Sequence, residues 1–446
     1  MLPTSLLYLP IGRKTFDMTA AEPIWAETSA ILKEQYETVY EPANIITSID
    51  ELEAFLQTLE GKAVDSIVYQ SVTFADGEFA LKVLDYFKAP FIVWSVREPS
   101  IGGRLRLNSL TGGNSTSNVL KNHSHPFAFV FGNPSEAKLQ QRLKLQLQVN
   151  GVIRKLQELS IGIVGEHPPG FFFSDADTVE LKDTLGVQLH SLNLHQAFKE
   201  CVEIEEERWI QAVERAEQQV VGLNRNDETV KKFAQFYTYL QQYINEHKIQ
   251  ALAVRCWPDF FVELGAAACS TLSQFTECGV VSSCESDIHG SISMYILQEL
   301  SQGQAPYLGD MVHVNEERNS VVFWHCGAAA YSLAHPSTGA QAGVHPNRKM
   351  GFTMDFGLKP GGVTIFRVSH TPDGYRLLIM KGEALDAAQP FSGTSVEVKL
   401  PHDVSDTLIE LMNEGFEPHF ALVYEDVADA LIELGRQLGI HTIAYV

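Results

Sequence analysis

The chain has 446 residues, 45% hydrophobic and 20% charged, with a mean hydropathy of −0.05. This ordinary globular composition excludes disorder over any large part and, at roughly 150 residues per domain, predicts about three domains. With 33 basic residues against 55 acidic ones, a formal net charge of −22, and no basic stripe, it excludes nucleic acid and anionic membrane surfaces as partners.

The N-terminal MLPTSLLYLPIGRKTFD has neither a basic n-region nor a cleavage site, and its apolar run falls short of the roughly 18 residues of a spanning helix. It reads as a first strand in a cytoplasmic protein. Short β-rich runs follow at 66–70, 91–96 and 127–132, alternating with amphipathic helices, so residues 1–158 are expected to form an open, Rossmann-like α/β domain. The stretches 97–115 and 116–126, rich in Gly, Ser, Asn and His, read as loops. A second α/β domain is expected over 159–304. Its strands are SIGIV, QALAVRCW (250–257) and the start of CGVVSSCESDIHG (278–290), with a long charged helical region at 199–248 and an apolar helix ending near Gly303. From 305 to 446, runs such as NSVVFWHCG, GGVTIFRVSH and YRLLIMKGE alternate with turns and lack intervening helices. They predict an antiparallel β-rich C-terminal domain closed by a helix and a last strand. The six cysteines form no C-x-x-C pair, as expected of reduced thiols.

The sequence contains no phosphate-binding loop, no nucleophile elbow and no H-E-x-x-H. What remains are acids and histidines at loop positions. In Cys284-Glu285-Ser286-Asp287-Ile288-His289-Gly290, carboxylates follow directly on a buried strand, where α/β sites form; Glu285 or Asp287 equally suits a helix cap. Asp259 and Glu263 lie one helical turn apart and share a face, either toward a cleft or toward solvent. His419 sits between a Gly-Phe-Glu-Pro turn and a strand, as a ligand or a structural histidine.

CESDIHG resembles the E-x-D-x-x-G segment of L-fucose isomerases, and GFEPHFALVYEDVADALIELGRQLGIHTIAYV resembles that family's tail. VGEHPPGF, RCWPDF and VVFWHCGAA are similar to segments of the broader L-fucose/L-arabinose isomerase-like family. The resemblance implies a divalent-metal-dependent ketol isomerase. Its implied metal ligands are Glu263, Asp287 and His419, with Asp259 an alternative to Glu263 and His313 left structural. It also implies that Glu263 and Asp287 relay protons in an enediol route between aldose and ketose. Oxygen and imidazole ligation suits Mn²⁺, with Mg²⁺ or another divalent cation as alternatives. Arg13, Asn108, Trp257 and His325 are the candidate sugar-binding residues. Arg13 and Asn108 are expected to act across subunits in a homo-oligomer, a trimer or hexamer. The substrate is expected to be a pentose, a 6-deoxyhexose or a C6-anionic hexose such as sulfoquinovose. An anionic group would call for an arginine, from Arg97, Arg104 and Arg106 or from Arg13 with Lys14. A non-catalytic sugar-binding or regulatory protein on the same scaffold is the alternative.

Overall fold

The computed structural model describes Ser5 to Val446; the first four residues of the predicted first strand lie outside the described residues. Strands β1 (Ser5–Ile11), β2 (Thr38–Tyr40), β3 (Ser66–Ser71), β4 (Phe91–Ser95) and β5 (Phe127–Phe131) form a parallel sheet of order β2-β1-β3-β4-β5, with helices between successive strands. β1, β3 and β4 are buried along their whole length, as expected for the continuous apolar strands of a helix-covered parallel sheet.

The second parallel sheet contains β6 (Ser160–Val164), β7 (Gln188–Leu192), β9 (Ala251–Val254) and β10 (Val281–Cys284) in the order β10-β9-β6-β7; the short β8 (Val220–Val221) lies outside it. The expected helical region at 199–248 is broken into Glu206–Gln219 and Glu228–His247.

The C-terminal part contains β11 (Tyr307–Asn315), β12 (Ser320–His325), β13 (Ala340–Gly343), β14 (Thr353–Met354), β15 (Phe356–Gly357), β16 (Gly361–Thr371), β17 (Gly374–Ala384), β18 (Thr394–Lys399), β19 (His419–Val423) and β20 (His441–Tyr445). β8, β13 and β14 make a small separate sheet, and the others form an eight-stranded one. An additional pairing of β17 with β18 closes six antiparallel strands, β12-β11-β19-β16-β17-β18, into a barrel. Closure removes the sheet edges that an open antiparallel domain would leave. β15 and β20 add to it in parallel.

By compactness the chain divides into two units. One comprises the residues up to Lys155 with Arg436–Gly439; the other comprises Leu156–Gly435 with Ile440–Val446 and contains both the second parallel sheet and the barrel. Within the second unit, the helix Ile288–Leu300 packs against β9 and β10 on one side and β16 and β19 on the other. Twelve of its thirteen residues are buried, as its apolar sequence demands.

One reading needs correction. Residues 109–122, expected to be loop, form a helix, Ser109–Asn122. Its glycines serve close packing: a Cβ on Gly113 would stand 2.1 Å from Ser95 Oγ, and one on Gly112 would stand 3.0 Å from the backbone nitrogen of Ala75. Loop-like composition here reflects a helix pressed onto its sheet. Among the described residues, no helix is long and apolar enough to cross a membrane.

Candidate active site

The carboxyl ends of β9 and β10 and the adjoining rim of the barrel build the site. After β10 the chain makes a tight turn in which Glu285 and Ser286 both adopt left-handed backbone, φ 59° and 54°. Two consecutive non-glycine residues in this region are uncommon and need support from their surroundings. Ser286 provides it, donating its amide to the Val254 carbonyl at 3.1 Å and its hydroxyl to the Gly165 carbonyl at 2.9 Å. The turn aims Glu285 into the site and places Asp287 at the start of the buried helix, where it accepts the Gly290 amide at 2.8 Å.

Asp287 is sealed from solvent and its oxygens are committed. Arg367, on β16 and equally inaccessible, contacts both oxygens at 2.5 and 3.1 Å, and His419 Nδ1 lies 2.9 Å from Oδ2. Burial alone would raise this carboxyl, but the guanidinium and imidazole outweigh it and hold its pKa well below the usual range. His419 begins β19, directly opposite Asp310 of β11. With Nδ1 held by Asp287, Nε2 is left 3.1 Å from Glu285 Oε2 and 3.6 Å from Asp310 Oδ1, without a well-formed hydrogen bond to either. Burial opposes charge on this ring, yet the Asp287 and Glu285 carboxylates outweigh it and raise its pKa to about 10. The surroundings therefore favour positive charge at this point. Burial likewise raises the pKa of Asp310.

His325, at the end of β12, accepts its neighbour's amide on Nδ1, from Cys326 at 2.9 Å, and its buried Nε2 has no partner. Asp310, His325 and His419 each bring a ligand atom within 4.8 Å of the others. Trp257 donates its indole N–H to Glu285 Oε1 at 3.1 Å, and Phe173 stands edge-on to His419. Two orphaned imidazole nitrogens, with the Asp310 carboxylate close to both and the Glu285 carboxylate beside His419, fit a divalent cation. Cys284, His325 and Cys326 form a neighbouring group of the same kind.

Of the residues singled out from sequence, Asp287, His419, Trp257 and His325 come together here. Glu263 does not join them. It lies on a short π-helical turn, Phe260–Leu264, and contacts His195 Nδ1 at 2.8 Å; with Asp259, which pairs with Arg255, these residues make a separate, more exposed group that could also hold an ion. Arg13 and Asn108 belong to the first unit: Arg13 pairs with Asp76, and Asn108 precedes the 109–122 helix and accepts from Thr111 at 2.7 Å. His313 is exposed, with its ring edge-on to Phe391. Glu285 and Asp310 were not selected from sequence. For Glu285 the signal was present, two residues before Asp287 in the same strand-end motif.

No family model matches the chain, but full-length relatives do. It is 67% identical over 446 residues to a protein of Priestia megaterium, covering 100% of both chains. It is 57% identical over 439 residues to one of Alkalicoccus urumqiensis, covering 98% of this chain and 99% of the other. A Clostridium protein is 39% identical over 443 residues, covering 98% of each. All three are named sulfoquinovose isomerase. The class is therefore that of the sugar isomerases, intramolecular oxidoreductases that interconvert an aldose and a ketose. Within it, the chain belongs to the sulfoquinovose isomerase family.

Proposed function

We propose that this chain converts sulfoquinovose, a six-carbon aldose with a sulfonate on C6, into its 2-ketose and back, with a divalent cation held by Glu285, Asp310, His325 and His419. The observation that carries the cation assignment is the pair of buried, unpartnered Nε2 atoms facing carboxylates. The donor set of carboxylate oxygens and imidazoles suits Mn²⁺, with Mg²⁺ the runner-up. When bound, the cation supplies Lewis-acid stabilisation of the negative charge that develops as the C2 proton leaves.

The chain's own residues do the rest. Asp287, its oxygens already engaged, positions His419 by holding Nδ1 and turning Nε2 to the pocket. Trp257 steadies Glu285 through Oε1. Glu285 and Asp310 are the carboxylates free to move a proton between C2 and C1. This reading departs from the ligand set implied by the family resemblance: Glu285 takes the role expected of Glu263, Asp287 positions His419 instead of ligating or relaying protons, and Asp310 and His325 join the ligands. Working on an open-chain sugar in the cytoplasm is consistent with the six free cysteines.

Purified protein assayed with sulfoquinovose tests the proposal. Exhaustive chelation should abolish turnover and Mn²⁺ should restore it. Full activity after chelation would remove the cation from the mechanism, and no ketose formed with Mn²⁺ present would remove the substrate.

A further inference from the structure

A sulfonate is a permanently ionised, tetrahedral anion, and a planar, always-charged guanidinium with five donors matches it better than any other side chain. The arginines suggested by their clustering in sequence are engaged elsewhere. Arg97 holds Glu136 through two bonds of 2.6 and 2.7 Å, Arg106 holds Asp17 at 2.9 Å, Arg13 holds Asp76, and Arg104 bonds to the Thr15 carbonyl at 3.3 Å. Near the centre, Arg367 is buried on Asp287 and Arg255 is paired with Asp259 at 2.5 Å.

Arg348 differs. Among the described residues no carboxylate pairs with it, although acids outnumber bases 55 to 33 in this chain. Its guanidinium carbon instead stands over the rings of Trp257 and Phe261, 5.6 and 5.9 Å from their centroids, an arrangement that leaves its N–H donors free. Trp257 is the residue whose indole N–H holds Glu285, so a single side chain separates the unpaired cation from the centre. The turn that carries it is fixed. His345 donates its amide to the Met350 carbonyl at 2.9 Å and accepts that of Lys349 at 2.8 Å, while its ring accepts the Asn347 and Arg348 amides and stands edge-on to Phe261.

We propose that Arg348 binds the C6 sulfonate, with Trp257 as the surface along which the sugar chain lies between cation and centre. The inference rests on sulfoquinovose being the substrate. An extended six-carbon chain with a terminal sulfonate, built from bonds of about 1.5 Å, is about 8 Å long, a length suited to running along an indole. The same residue then discriminates against neutral sugars, which leave the guanidinium without its partner.

The test compares kcat/KM for sulfoquinovose and for its neutral 6-deoxy counterpart in the parent enzyme, Arg348→Met and Arg348→Lys, all with Mn²⁺. The ratio of the two values should fall about 100-fold in Arg348→Met, mainly through KM for the sulfonate sugar. Arg348→Lys, a charge without the fork, should recover part of it. An unchanged ratio, or equal losses on both sugars, overturns the assignment, and melting temperatures show whether an equal loss comes from unfolding. A parent enzyme inactive on sulfoquinovose would instead overturn the substrate reading before any variant is made.

Discussion

Replacing Asp287 by Asn would take from the buried Arg367 guanidinium its nearest carboxylate, leaving Glu417 3.6 Å from its Nε. Both side chains are 0% exposed, and breaking such a pair from one side costs about 3–5 kcal/mol, because the remaining charge stays buried. Asp287→Asn should therefore lower the urea midpoint severely, and its lost activity would reflect the fold as much as the chemistry. Glu285, at 17% exposure, should behave oppositely. Glu285→Gln should keep the parent's unfolding free energy in urea within about 1 kcal/mol, yet lose turnover and fail to retain Mn²⁺ through gel filtration. Glu263→Gln, on an exposed turn, should retain the ion; the reverse pattern in these two variants would move the centre to the His195–Asp259–Glu263 group. At this scale the sequence was readable where a motif was local. The strand-end carboxylates and the histidine that begins β19 could be picked out, but which of two acids faces the site depends on two left-handed residues that spacing does not encode. Asp310 is brought in by barrel pairing and carries no local mark; His325 could be picked out as a sugar-binding candidate, but its place beside Asp310 and His419 is set by the same pairing.

The buried helix Ile288–Leu300 begins where the ion pair sits, and Gly290 is the point of contact. In helix propensity, Gly290→Ala should gain up to about 1 kcal/mol. The added Cβ, however, would lie 2.5 Å from Asp287 Oδ2 and 3.2 Å from Arg367 Nη1. Overpacking of this kind costs about 1–3 kcal/mol, so the variant should be less stable than its parent by thermal or urea unfolding; a gain in stability would show that the pair can shift without loss. Two elements illustrate what pattern reading captures. This helix was legible because it is predominantly apolar and ends at a glycine turn, whereas Ser109–Asn122 was hidden by glycines that its tight seat on the sheet requires. A bulge in β11 between Met311 and His313 likewise breaks the two-residue alternation on which strand-facing arguments rest.

For the whole molecule, the alternation of strands and helices followed by a helix-poor β region was legible in sequence. Barrel closure was not, since the β17–β18 pairing leaves no trace in periodicity. The candidate centre lies entirely in the second compact unit, while Arg13 and Asn108 belong to the first. We propose that these two residues act across subunits of a closed homo-oligomer, a trimer or hexamer. Coexpressing Arg13→Ala with Glu285→Gln, each inactive alone, should then yield mixed assemblies with restored activity. Sedimentation of a fully active monomer would refute the arrangement.

The direct pairing of Asp310 with His419 across β11 and β19 has a consequence for how such an enzyme is made. On the ribosome, the strand bearing Asp310 emerges long before its partner, and chains fold progressively from the N-terminus as they appear. Until residue 419 has cleared the exit tunnel, the proposed centre lacks His419 and with it the barrel closure that sets its geometry. The proposed four-residue cation site would therefore be complete only once synthesis is nearly finished.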